Sequence, residues 1–260
     1  MRYLGRARVA LVSWVILFYF LLYIPIIVLV LFSFNDATTG QFTGLSLRWY
    51  RSLFESPEIW QALKNSLIVA VSSAFLSLLM GTALVVASMR THFRKVVFLF
   101  YGSLAIPEIV LTVGLLSFFS FFSIPFGLTT LIAGHTLIGL GYVVPMLYAR
   151  MSEIDYRLLE ASLDLGASQI QTFFNITLPL LRPALLGAGL LVFIVSFDDF
   201  LVAFFCAGAT EQTLPLYIFS LIRVGSMPII NALLTLLLAV SSLLVLLFSF
   251  LTVRRMRVIE

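Results

Sequence analysis

Apolar residues run in long, nearly unbroken stretches along this chain, and polar residues gather in the intervals between them. Six stretches stand out: Val9–Phe34, Ser66–Met89, Val96–Phe122, Leu128–Ala149, Ala184–Ala207 and Ile229–Val253. Each is long enough to cross a bilayer as a helix, which takes roughly 20 apolar residues. Helices are expected because lipid cannot satisfy an open backbone. The third and fourth runs are parted only by the turn-like Ser123–Gly127, SIPFG, which predicts a tight helical hairpin. The first run far exceeds the roughly 7–15 residues of a signal-peptide core and lacks a small-residue cleavage site, so it reads as a retained span. The expected fold class is all-α integral membrane, one transmembrane domain over residues 1–260 with no soluble domain.

Charge sets the direction of crossing. With the N-terminus placed inside, the inner segments hold Arg2, Arg6, Arg8, Arg90, Arg94, Lys95, Arg150, Arg157, Arg182, Arg254, Arg255 and Arg257. The outer segments hold only Arg48, Arg51, Lys64 and Arg223. By the positive-inside rule six spans then leave both termini in the cytoplasm. Composition agrees, with 61% hydrophobic and 11% charged residues, against about 25% charged in a soluble domain. The net charge of +4 does not indicate nucleic acid, because the basic residues sit in small clusters between apolar runs. The single Cys206 excludes an internal disulfide and any multi-cysteine metal site. It reads as a packing residue.

Two outer segments have a character of their own. Leu45–Glu58 places Leu45, Trp49, Leu53 and Phe54 near helical spacing and predicts a short helix on the membrane surface. Trp49, Tyr50 and Trp60 suit the interfacial aromatic belt. The segment Gly208–Pro228 predicts a second surface or re-entrant helix.

The inner segment 150–183 is amphiphilic where its flanks are not. Tyr156–Leu165 has helix-forming character, and Gly166 is a natural terminator. A second short helix is expected over Ser168–Asn175, burying Ile170, Phe173 and Phe174, with Pro179 and Pro183 breaking the chain before the fifth span. The expected product is a stiff helix–turn–helix knob. Glu160 and Asp164 are i,i+4 neighbours on one face, placed to pair with basic groups of a partner.

Four ionisable side chains fall inside apolar runs: Glu108, His135, Asp198 and Asp199. A charge at the bilayer centre costs about 2.5–3.5 kcal/mol on insertion scales, so such groups face a partner or a watery path. Adjacent residues on a helix point about 100° apart, so Asp198 and Asp199 share one direction only if the helix unwinds there. Pro107 weakens the helix just before Glu108, and a broken helix beside an acid is an element of a cation path. Glu108, Asp198 and Asp199 are therefore candidate residues of a substrate path. The alternative is that they pair with a basic side chain or cap a kink. His135 reads as a hydrogen-bonded structural histidine. Pro25, Pro107 and Pro145 are expected to kink their spans, and no metal site is expected.

The spacing Glu160-Ala161-Ser162, three residues, Gly166, nine residues, Ile176, one residue, Leu178-Pro179 resembles the cytoplasmic coupling loop of ABC-importer permeases. It departs from that pattern only at Ser162, where the family has Ala. Further segments, YIPIIVLVLFSFN, SLRWYRSLF, ITLPLLRPAL, SFDDF and LPLYIFSLIRVGSMPIINAL, resemble the inner-membrane permease subunits of spermidine/putrescine ABC importers. The resemblance implies a type I ABC-importer permease fold in a bacterial inner membrane. Its implied partners are a second homologous permease, a cytoplasmic ABC ATPase dimer and a periplasmic substrate-binding protein. It further implies that Glu160, Ala161, Ser162, Asp164, Gly166, Ile176, Leu178 and Pro179 couple the ATPase to the spans, by alternating access.

The chain is not expected to hydrolyse ATP itself. A P-loop needs Gly-Lys followed by Ser or Thr, and the only lysines, Lys64 and Lys95, follow Leu63 and Arg94. No cofactor is expected in this chain, with ATP and Mg²⁺ belonging to the partner ATPase. The alternatives are a permease for another small solute, a secondary transporter, which leaves the coupling spacing unexplained, and an intramembrane enzyme. The enzyme would need a nucleophile–base pair or metal cluster. Only His92 and His135 are available, with no motif-like partner in sequence.

Overall fold

The computed structural model describes the backbone of residues 2–37, 41–88 and 94–257, and the side chains of 11–37, 41–88, 95–243 and 246. Met1, Arg90 and His92, and the side chains of Arg2, Arg6, Arg8, Arg94, Arg254, Arg255 and Arg257, lie outside that set. In chain order the helices are α1 (Arg2–Ser33), α2 (Arg48–Glu55), α3 (Pro57–Ser88), α4 (Arg94–Ser103), α5 (Glu108–Phe121) and α6 (Leu128–Ser152). After these come α7 (Tyr156–Asp164), α8 (Gln169–Thr172), α9 (Leu178–Asp198), α10 (Leu201–Cys206), α11 (Leu214–Val224) and α12 (Met227–Arg257). Among the described residues the β-structure is one isolated bridge, Asn35 with Leu45.

The chain divides into two compact units. One comprises Met1–Ile59 and Ile218–Glu260. In it α12 packs along α1 and against α2. The α1–α2 connection is held by buried amide chemistry. Asn35 Oδ1 accepts the Thr43 N–H at 2.9 Å, and Asn35 Nδ2 donates to the Gln41 carbonyl at 2.7 Å. Trp49 Nε1–H donates to the Asn35 carbonyl at 2.9 Å, and the Tyr50 and Ser33 hydroxyls share a 2.7 Å bond. The expected short helix forms, but Trp49 and Leu53 are buried within the unit. The indole N–H is thus satisfied inside the unit, as a buried tryptophan requires.

The second unit, Trp60–Tyr217, holds the candidate site residues. Its central element is α6, which packs against α4, α5, α9 and α10. Two apolar clusters form around it. One joins Ala74 and Val85 of α3, Val97 of α4, Leu140–Met151 positions of α6, and Leu181, Ala188 and Val192 of α9. The other joins Val69 of α3, Leu115 and Phe119 of α5, Leu131 of α6, and Val202, Ala203 and Cys206 of α10. At or near the junction of the two clusters lie buried polar residues: Ser73 and Ser77 of α3, His135 and Thr136 of α6, Ser196 of α9 and Asp199 just past its end. The helices approach closely at this level. A Cβ on Gly139 would collide with Ser77 Oγ and lie 2.8 Å from Val192 Cγ1. Small residues permit such approach in lipid, where dispersion replaces the hydrophobic drive between helices.

Among the described residues four helices are long and apolar enough to cross a membrane: Leu11–Ser33, Pro57–Ser88, Leu128–Ser152 and Gln169–Asp198. A fifth results if the pair Lys95–Ser103 and Glu108–Phe121, bent by 111°, counts as one span. The sixth expected run lies in α12, of which Met227–Leu243 is a shorter apolar helix among the described residues. Two expected runs are therefore broken helices. Val96–Phe122 parts at Ser103–Glu108, where Pro107 has no N–H to continue the ladder. Ala184–Ala207 parts at Asp199, whose backbone is extended at φ −71°, ψ 124°. Conversely, α1 and α6 run on through Pro25 and Pro145.

Candidate functional site

The elbow at residues 153–178 is built by local capping. Asp155 Oδ1 accepts the Arg157 N–H at 3.0 Å and starts α7. Gly166 ends it with φ +88°, a conformation that costs glycine nothing. The Gly166 N–H donates to the Leu163 carbonyl at 2.9 Å, and the Ala167 N–H to the Ser162 carbonyl at 3.1 Å, so the last turn of α7 is closed. Ser168 and Gln171 then form a reciprocal capping box at the start of α8, with bonds of 2.7 and 3.3 Å. The expected helix–turn–helix is thus present.

Past α8 the chain departs from expectation. Pro179 and Pro183 do not break it: α8 passes through a π-helical turn, Phe173–Thr177, directly into α9. The wider turn sits just before Pro179, where the missing N–H and the ring would disrupt ordinary i→i−4 pairing. Gln169–Asp198 is consequently one 30-residue helical stem. Nor are the expected apolar residues buried. Ile170 is 71% exposed and Phe174 58%, and Phe173 is half-buried. A groove of about 260 Å³ opens between the elbow and the ends of α3 and α6, lined by Val86, Met151, Tyr156, Leu163, Ile170 and Phe174 among others.

Glu160, Ala161 and Asp164 are exposed on α7, whereas Ser162 is half-buried and faces α8. Its hydroxyl shares a 3.0 Å hydrogen bond with that of Thr172, which is buried. Ile176 and Leu178 are half-buried in the π turn and the first turn of α9, as is Pro179. Arg150 fastens the base of the elbow, pairing with Glu153 at 2.8 Å and donating from Nε to the Leu180 carbonyl at 3.4 Å.

The second constellation lies at the two broken helices. Asp199, at the α9–α10 break, is buried, and its Oδ1 accepts the Val202 N–H at 3.1 Å. Its Oδ2 lies 3.5 Å from His135 Nδ1 of α6, and each side chain is 3% exposed. Glu108 begins α5 at the other break, close enough to act electrostatically on Asp199. Asp198 is the last residue of α9 and is exposed. The structure therefore brings together Glu108, His135 and Asp199, and points the two adjacent aspartates into different surroundings. Asp199 has both of the features weighed against a path role, a basic neighbour and a helix cap. Among the described residues no lysine or arginine forms an ion pair with Glu108, Asp198 or Asp199.

Beside Glu108 a cavity of about 230 Å³ separates the α4–α5 elbow from α6. Its walls include Leu99, Phe100, Leu104, Leu137 and Tyr142, with Ser103 as a hydroxyl. One carboxylate in a mostly apolar hollow can hold an alkyl chain by its methylenes and a cationic end by charge. Hydroxyls that the apolar runs do not advertise gather around this level. Ser73 Oγ donates to Ser196 Oγ at 3.0 Å, and Ser77 Oγ to the Thr136 carbonyl at 3.0 Å. The i,i+4 placement of Ser73 and Ser77 on one face of an apolar run was the available signal. His135 does have an acidic partner, contrary to its lack of one in sequence. Its Nε2 has no hydrogen-bond partner among the described residues. Among those residues no cluster suited to a metal occurs.

Over 231 residues, covering 87% of this chain and 88% of the relative, the sequence is 38% identical to the spermidine/putrescine transport system permease protein PotC of Escherichia coli K12. It is 34% identical over 228 residues to the putrescine transport system permease protein PotI of the same organism, covering 84% and 81%. The fold matches a chain from the crystal structure of a bacterial ABC transporter involved in the import of the acidic polysaccharide alginate, with a TM-score of 0.71, 17% identity, and 98% and 96% coverage. The signature of binding-protein-dependent transport system inner membrane components matches residues 75–258, and this chain belongs to that family.

Proposed function

We propose that the chain is a permease subunit of an ATP-driven importer and that its solute is a polyamine. The observation that carries the substrate reading is the placement of Glu108 and Asp199 at two broken helices, with Glu108 opening on an apolar cavity. A polyamine alternates ammonium charge with methylenes, and the hollow offers a partner for each. Similarity to PotC and PotI supports the same solute class. Fold alone would not select it, because the structural neighbour belongs to a system importing an acidic polysaccharide. Asp198 joins the path as an outer, solvated acid.

In this reading the chain crosses the membrane six times with both termini in the cytoplasm, and α12 supplies the last span. The elbow docks on a cytoplasmic ATPase dimer that binds ATP and Mg²⁺, a homologous permease completes the pore, and a periplasmic binding protein delivers solute. Glu160 and Asp164 meet basic groups of the ATPase, and the apolar groove receives an apolar side chain. Force on α7 passes through Ser162, Thr172 and Gly166 to Ile176, Leu178 and Pro179, and so into the α8–α9 stem. At 1.5 Å per residue the stem spans about 45 Å and ends at Asp198, beside the acid site. Rigid-body movement of that stem would alternate the exposure of the site.

Reconstituting the complete importer in liposomes tests this. ATP hydrolysis should rise with polyamine-loaded binding protein, and labelled putrescine should accumulate. Transport by this polypeptide free of any ATPase would refute it.

A further inference from the structure

This inference rests on the acid-lined path of the proposed function and concerns how that path is neutralised when no solute occupies it. Asp199 and His135 are each 3% exposed and face one another across 3.5 Å. Yet Asp199 Oδ2 and His135 Nε2 both lack a hydrogen-bond partner among the described residues. Glu108 adds a second carboxyl beside them, and no lysine or arginine among the described residues pairs with any member. A buried carboxylate needs a cation or a proton to offset its lost hydration. With no fixed cation beside it among the described residues, the proton is the counter-charge this cluster itself can take up.

We propose that the buried His135–Asp199 pair carries one resident proton that stands in for the solute's ammonium group, and that a passing polycation displaces it. The exchange balances without covalent change: one ammonium charge enters the carboxylate's field and one proton leaves to water. His135 is then a positioning residue. It keeps Asp199 charge-compensated in the empty path and does not itself hold the solute. The hydroxyls at the same level cannot take this part, because Ser73, Ser77 and Thr136 are bonded to one another's helices or to backbone.

The other titratable groups near the pair are few. Glu108 comes from α5, Asp198 from the end of α9, and Cys206 from α10. On α4, Tyr101 directs its hydroxyl toward the Pro145 carbonyl at 3.5 Å. Tyr142 sits two turns along α6 on the wall of the cavity. Protons and polyamine therefore compete at one place, and acid should oppose uptake.

The test uses the complete importer in proteoliposomes with saturating putrescine-loaded binding protein, between about pH 5.5 and 8.5. Each uptake rate is divided by the stimulated ATP hydrolysis of the same preparation. Wild-type uptake should fall by about tenfold per pH unit below its midpoint. His135→Gln should move that midpoint by about one pH unit or more, and Asp199→Asn should flatten the profile at a reduced rate. A wild-type profile that is flat over this range overturns the proposal whether or not the variants assemble. So does an assembled His135→Gln importer with the wild-type midpoint. If Asp199→Asn retains full uptake, the acid-path reading itself falls. If Asp199→Asn is impaired while His135→Gln keeps the wild-type profile, only the proton exchange falls.

Discussion

Ser162 on α7 and Thr172 at the end of α8 share a 3.0 Å hydrogen bond, and this polar contact links the exposed arm of the elbow to the stem of α9. The residue that departs from the family's Ala is thus the one that makes the link. A partly buried neutral hydrogen bond contributes about 1 kcal/mol. Ser162→Ala and Thr172→Val should each lower the melting stability of the assembled importer by about that amount. The double substitution should cost little more than either alone, because one bond is lost in all cases. Fully additive losses in such a cycle would show that the two hydroxyls act separately.

Glu160 is exposed and has no ion pair within the described residues. Glu160→Lys should leave membrane insertion intact and lower ATP-driven uptake by about tenfold or more, the equivalent of about 1.4 kcal/mol at a charged contact. Co-purification of the ATPase with the variant checks whether assembly or coupling is lost. Wild-type uptake would remove Glu160 from the interface.

The two adjacent aspartates should behave differently. Asp199 is buried, pairs with His135 and caps α10, whereas Asp198 is exposed. Asp199→Asn preserves the cap's acceptor oxygen but removes the charge, so uptake of a polycation should fall by about tenfold or more while the complex still assembles. Asp198→Asn should have the smaller effect. Equal effects of the two would argue that Asp198 also enters the buried site during transport.

Gly139 is a packing prediction. Any side chain there must displace Ser77 Oγ and Val192. Gly139→Leu should destabilise the chain by about 1–3 kcal/mol through overpacking, or prevent assembly. Recovery of assembled complex at the wild-type melting temperature would mean that α3 and α9 separate at this level more readily than their packing implies.

Terminal tags provide the topological check. A reporter fused to either end should be protected from a membrane-impermeant label applied outside, and labelling of one end would break the six-span reading.

Much of the elbow was legible in the sequence because it is made of local interactions. The helix-forming run Tyr156–Leu165, the terminator Gly166 and the short segment after it act within a few residues of themselves, so they alone predict two short helices and the turn between them, which the Asp155 and Ser168–Gln171 caps complete. The apolar runs were legible for a similar reason, since crossing lipid demands length and composition rather than a particular neighbour. The fate of Pro179 was not legible. Proline lowers the odds of a helix locally, but a π turn and packing of Leu181 against α6 carry the helix through it. Exposure of Ile170 and Phe174 was equally hidden, because burial depends on which surface arrives opposite.

The acid site shows the same division. Sequence determined that Glu108, His135, Asp198 and Asp199 lie in an apolar setting and that Pro107 loosens the chain beside one of them. It could not determine that His135 meets Asp199, which is 64 positions further along, or that adjacent aspartates part company. Those facts arise where α6 meets the two broken helices, and contacts between distant segments are fixed only when whole helices pack.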